Sequence, residues 1–173
     1  DRAALAALGV PVREVARGGL ATYHAPGQLI GYPIIDLREL RPDLHWYLRS
    51  LEQVLIDALA DLGCSAHRRP GATGVWVGER KVASIGIAVR GWVTWHGFAL
   101  NIRCHSPVRH YLAPCGMAPQ VMASLDEIME PAPGFAQVSA AVIYRFGQVL
   151  GRAMKPADVP TGGLVRSPSD TSG

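Results

Sequence analysis

Leu44, Leu48, Leu51, Leu55, Leu59 and Leu62 recur every three or four positions, the spacing that lines one face of a helix with apolar side chains. Pro42 and Asp43 open this run and Gly63 closes it, which predicts an amphipathic helix packed on a sheet. Residues 12–16 and 29–37 are short segments rich in β-branched types. They predict strands joined by a Gly- and Pro-rich loop, 17–28, that must bend sharply. Three more strand-like runs follow at 74–77, 81–90 and 92–102, with connections short enough for antiparallel neighbours. Helical spacing returns through Val138, Val142, Phe146 and Val149, predicting a second helix over 138–150. Residues 155–173 are rich in Pro, Ser, Gly and Thr, have little to bury and are expected to form a flexible tail. The pattern defines an α/β chain of the α+β type, a mixed, mostly antiparallel sheet flanked by helices in one domain over 1–154. There is no internal repeat and no heptad pattern.

Composition narrows the class without changing this picture. With 173 residues, 49% hydrophobic and 18% charged, the chain fits one soluble globular domain. No apolar run approaches the length of a bilayer span, so no membrane role is expected. Residues 1–10 lack the basic-then-apolar order of an export signal, and a start at Asp1 rather than Met suggests a trimmed piece. Cys64, Cys104 and Cys115 are too few, and odd in number, for a disulfide framework, which fits a reducing compartment. The net charge of +3 is densest at Arg68, Arg69, Arg80 and Lys81. This suits acidic protein partners better than nucleic acid, although a solvated face explains Arg68 and Arg69 equally well.

Several segments carry candidate chemistry. Cys115 stands between Pro114 and Gly116, a rigid and open setting for a nucleophilic sulfur. Taken alone, a cysteine is more often a small buried hydrophobe. The loop at 17–28 holds Arg17, Gly18, Gly19, Leu20, Ala21, Thr22, Tyr23 and His24, paired glycines beside hydrogen-bonding groups, as expected of a loop that grips a ligand. In the run from Gly74 to Gly86, strand alternation puts Lys81, Ala83 and Ile85 on one face and Val82, Ser84 and Gly86 on the other. Lys81 then projects over small neighbours, though a lysine opening a strand is commonly a solvated end. His96, Gly97, Phe98, Ala99, Leu100 and Asn101 mix polar groups into an apolar strand, and Gly97 there would let a ligand or another chain lie close. Cys104, His105, His110 and Cys115 could be read as a zinc set, but Cys104 and His105 are adjacent and the spacing matches no common pattern, so no metal is expected.

Taken in order, R-G-G-x-x-T-Y-H-x-P-G-Q, G-V-W-V followed by K-V-A-S-I-G, H-G-F-A-L-N and P-C-G resemble the lipoyl(octanoyl) transferases of lipoic acid synthesis across residues 12–125. The resemblance implies an octanoyl-[acyl carrier protein]:protein N-octanoyltransferase with the catalytic fold of lipoate and biotin protein ligases. On the matching positions it makes Cys115 the acyl-accepting thiol and Lys81 its partner. It lines the acyl site with residues 17–24, with Ser84, Ile85 and Gly86, and with Gly97, Phe98 and Ala99. The partners it implies are acyl carrier protein, and the lipoyl domains of 2-oxoacid dehydrogenase complexes together with the glycine cleavage H protein. No cofactor is implied, the octanoyl-phosphopantetheine arriving on the carrier protein. The compartment implied is the cytoplasm in a bacterium, or a mitochondrion or plastid in a eukaryote. A related ATP-dependent lipoate or biotin ligase, and a non-catalytic binder of lipoyl domains, are the alternatives. The former has no need of Cys115, and a pure binder has no need of Cys115 or Lys81. Three departures stand out. Family members carry several dozen residues before the position of Asp1, so part of the sheet and acyl pocket is expected to be missing. Ala25 and Ala123 replace the usual Gly and Thr, and in the divergent stretch 102–112 the usual Asp-Leu and Phe are absent, replaced by residues 104–109.

Overall fold

The computed structural model describes residues 2–19, 21–105 and 121–157. Its centre is a five-stranded sheet with the order β1-β5-β4-β3-β2, built from β1 (Gln28–Gly31), β2 (His67–Arg69), β3 (Ala72–Val77), β4 (Arg80–Arg90) and β5 (Val93–Asn101). All neighbouring strands run antiparallel, and an isolated bridge between Lys81 and Met122 adds a parallel contact. Gly91 and Trp92 close the β4–β5 hairpin with φ of 57° and 66°. Two successive positive φ values are those of the tight turn whose twist suits paired strands.

Among the described residues, the α-helices α1 (Arg2–Ala7), α2 (Leu44–Asp61) and α3 (Phe135–Leu150) accompany the sheet. Asp43 caps α2, its side chain accepting from Trp46 N at 2.9 Å, and Gly63 follows the helix at φ 81°. Val54, Leu55, Ala58 and Leu59 of α2 and Val138 and Val142 of α3 bury against Val75, Val82, Ala83, Phe98 and Leu100 of the sheet. A second cluster joins Leu37, Tyr47 and Leu51, with Ile85 and Ile87 packed on it. Burial pushes the Tyr47 hydroxyl and the Cys64 thiol up from their ordinary values, so Cys64 is a packing residue rather than a nucleophile. Arg145 of α3 pairs with Asp61 at the end of α2 and holds that carboxyl below its usual range.

α2, α3, the three later strands and the antiparallel sheet agree with the sequence pattern; two of the expected strands do not. Residues 12–16 form no strand. Val12 and Val15 stay exposed, and the first backbone bond from this stretch to the sheet is Gly18 N to Ile87 O at 2.9 Å. β-branched residues favour a strand only where another strand's edge is free to pair. The run at 29–37 is a strand only as far as Gly31, because Pro33 donates no ladder bond. Beyond it the chain wraps Thr94, whose hydroxyl donates to Pro33 O and accepts from Ile35 N. β2 and α1 carry no apolar alternation strong enough to predict them. Arg68, for which a solvated face and a partner-binding cluster stood equal, turns partly inward and pairs with Glu52 at 3.1 Å.

Two outcomes follow from this packing. Leu55→Ala empties a fully buried site and is expected to lower the unfolding free energy by about 3 kcal/mol in urea denaturation. The Asp61–Arg145 pair stabilises the fold above the unfolded carboxyl's pKa of about 3.9, and that contribution fades as pH falls through the lower folded value. The difference in Tm between the parent and Asp61→Asn should therefore narrow as the pH drops below about 4.

Candidate active site

Because β4 and β5 pair in register from Ala83–Leu100 to Arg90–Val93, their side chains separate cleanly onto two faces. Ala83, Ile85, Phe98 and Leu100 turn to the core beneath the helices. Ser84, Gly86, Gly97, Ala99 and Asn101 line the opposite side, where the loop of residues 17–19 and 21–28 lies across the sheet. Between loop and sheet is a cleft of about 970 Å³, walled also by α1 and the extended residues 9–15. Arg17, Gly19, Ala21, Thr22, Tyr23 and His24 line it from the loop. A smaller, narrow cavity of about 50 Å³ shares Thr22, Ser84 and Ala99 with the cleft and is lined further by Gln28, Asn101, Cys104, Met122 and Ala123.

Gly86 and Gly97 stand opposite each other on β4 and β5. A Cβ on Gly97 would stand 2.2 Å from Gly31 O and 2.6 Å from Pro33 Cδ, so the end of β1 lies close against it. At Gly86 the close neighbours are Arg17 and the Gly18 carbonyl. Glycine thus seats the loop and the neighbouring strand on the sheet, leaving the cleft wall flat. Ile85 and Phe98 reach the cleft lining while packing mainly into the core. His96 holds φ at 59°, outside strand geometry, and joins Gly97 on the cleft side. Its ring meets Tyr32 edge-on at 6.4 Å, and Tyr32 meets His24 at 6.5 Å, so three aromatic rings edge the mouth. A side chain lining the mouth at positive φ differs from the core histidine that His96 alone would suggest.

Lys81 is 1% exposed rather than solvated. Strict alternation fails around it: Trp76 pairs with Lys81 but Val75 pairs with Ala83, leaving Val82 as an extra residue. Lys81, Val82 and Ala83 are consequently all buried. The amine lies 5.8 Å from the centre of the Trp76 ring. Ala123 N donates to Lys81 O at 3.0 Å, which ties Lys81 to the Met122–Ala123 wall of the narrow cavity. Arg80 secures the same wall, donating to Met122 O at 3.1 Å and to Glu127 at 2.6 Å.

Cys115 and Leu20 lie outside the described residues, as do Gly116, His110 and residues 158–173. His105 bonds Asp126 at 2.6 Å, and among the described residues no three His, Cys, Asp or Glu side chains gather as metal ligands. Two amides absent from the expected site organise it. Gln28 accepts from Ala25 N at 3.0 Å and donates to Tyr23 O at 3.2 Å and to Asn101 Oδ1 at 2.8 Å. Asn101 passes the link on to Ala123 O at 3.0 Å. The signal available in the sequence is a lone amide at the end of an apolar strand, where burial obliges it to find partners.

These features place the chain in a family. Residues 1–147 match the model of the lipoyl protein ligase A/B catalytic domain, and the chain belongs to that family. It is 50% identical over 147 residues to the octanoyltransferase of Gloeobacter violaceus, covering 85% of this chain and 65% of that protein. With the octanoyltransferase of Parasynechococcus marenigrum it shares 52% identity over 66% of this chain and 50% of that one. The chain therefore spans between half and two thirds of the length of these two relatives. A crystal structure of lipoate-protein ligase A bound with ATP superposes with a TM-score of 0.71 at 15% identity, over 93% of this chain and 67% of that one. The biotin protein ligase of Aquifex aeolicus in complex with biotin and ATP gives 0.59 at 16% identity, over 72% and 50%. The fold is that of the lipoate and biotin protein ligases.

Asn101→Ala removes the link between the loop and the wall of the narrow cavity, leaving Ala123 O without its amide donor. Chemical denaturation should show a loss of about 1–3 kcal/mol.

Proposed function

We propose that this chain carries the catalytic site of an octanoyltransferase, moving an octanoyl group from a carrier-protein thioester to a lysine of a lipoyl domain through Cys115. The observation that carries the reading is a fully buried lysine, Lys81, bridged to the wall of a narrow cavity in a chain about 50% identical to proteins named octanoyltransferase. A cleft of this volume falls in the range of small-molecule sites. The adjoining narrow cavity is the proposed seat for the end of an unbranched acyl chain. Burial of such a chain contributes about 0.8 kcal/mol per methylene, so a donor two carbons shorter binds on the order of tenfold more weakly.

In the proposed cycle the Lys81 amine takes the Cys115 proton, and the ammonium that results stabilises the thiolate. The thiolate attacks the donor thioester, a new C–S bond forms, and the pantetheine sulfur leaves with the proton from Lys81. The acyl-enzyme then meets the acceptor amine. Nitrogen attacks the carbonyl, its proton passes to Lys81, and the amide forms as the bond to Cys115 breaks. Backbone N–H groups about Gly116 are the proposed oxyanion donors. One thioester is exchanged for another of similar energy, so the cycle draws on no nucleotide. A reducing compartment keeps Cys115 in the thiol form.

Mixing the protein with octanoyl-acyl carrier protein, without ATP, should yield an octanoyl adduct on Cys115 by intact mass spectrometry and peptide mapping. Cys115→Ser and Lys81→Ala should each lower transfer at least a thousandfold. Label that appears only when ATP is supplied would assign the chain to the ligases instead, and near-normal turnover by either variant would remove the paired roles.

A further inference from the structure

We propose that Glu52 and Gly74 form a positioning device for the Lys81 amine, an inference that rests on the acid/base role given to Lys81 above. Glu52 projects from α2 into the interior with its side chain 1% exposed. One oxygen, Oε2, takes Arg49 at 2.6 Å and Arg68 at 3.1 Å. The other, Oε1, accepts from the backbone N–H of Gly74 at 3.1 Å. Arg68 is held in turn by Arg49 O at 2.9 Å and by Gln53 at 2.7 Å. A buried ion pair is weak support for a fold, since apolar replacements of similar volume are often as stable. A carboxylate kept here calls for a use beyond packing.

Gly74 supplies that use. Its φ is 129°, a conformation that residues with a Cβ rarely adopt. A Cβ there would stand 2.6 Å from Lys81 Cε and 2.4 Å from Ala83 O. The arm of Lys81 thus crosses the bare backbone of Gly74, beside the irregular pairing that leaves Val82 as the extra residue. Bulges of this kind re-aim a side chain. The Gly74 N–H that Glu52 holds belongs to the residue against which the lysine arm is laid. Glu52 fixes Gly74, Gly74 leaves the groove, and the Trp76 ring flanks the amine at its end.

The test is steady-state transfer from octanoyl-acyl carrier protein by Gly74→Ala, Glu52→Ala and Glu52→Gln, with thermal unfolding followed on the same samples. Gly74→Ala is expected to lower kcat about a hundredfold while KM stays within about threefold, the pattern of a misplaced reacting group. Glu52→Ala should lower kcat at least tenfold. Glu52→Gln, whose amide oxygen can still accept from Gly74, should recover kcat to within fivefold of the parent. A purely structural pair would lower Tm and leave the kcat of the folded enzyme in place; that result, with Lys81→Ala inactive, would overturn the proposal. If Gly74→Ala does not fold, Glu52→Asp decides, because it keeps the charge and draws the carboxylate back by one methylene. A tenfold drop in kcat then supports the device, and an unchanged kcat refutes it. Full turnover by Lys81→Ala would instead count against the role of Lys81 itself.

Discussion

The register between β4 and β5 is the constraint on which the rest depends. The turn at Gly91 and Trp92 sets it, and eight consecutive residue pairs carry it from Arg90–Val93 to Ala83–Leu100. Side chains alternate along a strand, so a slip of one residue would present Phe98 and Leu100 to the cleft and bury Ala99 and Asn101 beneath the helices. The same register fixes where Asn101 meets Gln28 and where Gly97 receives the end of β1. Core and cleft are therefore two readings of one hairpin.

Electrostatic features are distributed around this hairpin according to burial. Exposed pairs such as Asp36 with Arg38 contribute little, because water screens them. Glu52 is of another kind: three donors converge on a carboxylate that water does not reach, and its partners come from α2, β2 and β3. One charge thereby touches three elements.

What could be read in the sequence follows from how local each cause is. The helix over Leu44–Asp61 was legible because its period, its Asp43 cap and its Gly63 stop lie within twenty residues. β4 and β5 were legible as long alternating runs. Residues 12–16 looked like a strand because local pattern says nothing about whether a partner edge is available. The extra residue at Val82 depends on the pairing with β3, and no periodicity along β4 reveals it. The cleft was legible as a meeting of three Gly-rich segments, since residues 17–24, 84–86 and 97–99 do converge among the described residues. The use of those glycines was not legible, because the atoms that approach Gly97 come from a strand more than sixty positions away. The link between Gln28 and Asn101 was not legible for the same reason: each gains its meaning from the other.

The loop over the cleft is fastened largely by main-chain groups: Gly18 N to Ile87 O, and both Ile102 N and Arg103 N to Gly27 O. Peptide groups are common to every residue type, so the fastening is indifferent to most exchanges among the side chains that face the cleft. Exchanges in the lining can then alter the cleft without loosening the frame that presents it. Such a separation of frame from lining lets a site change faster than the architecture that holds it.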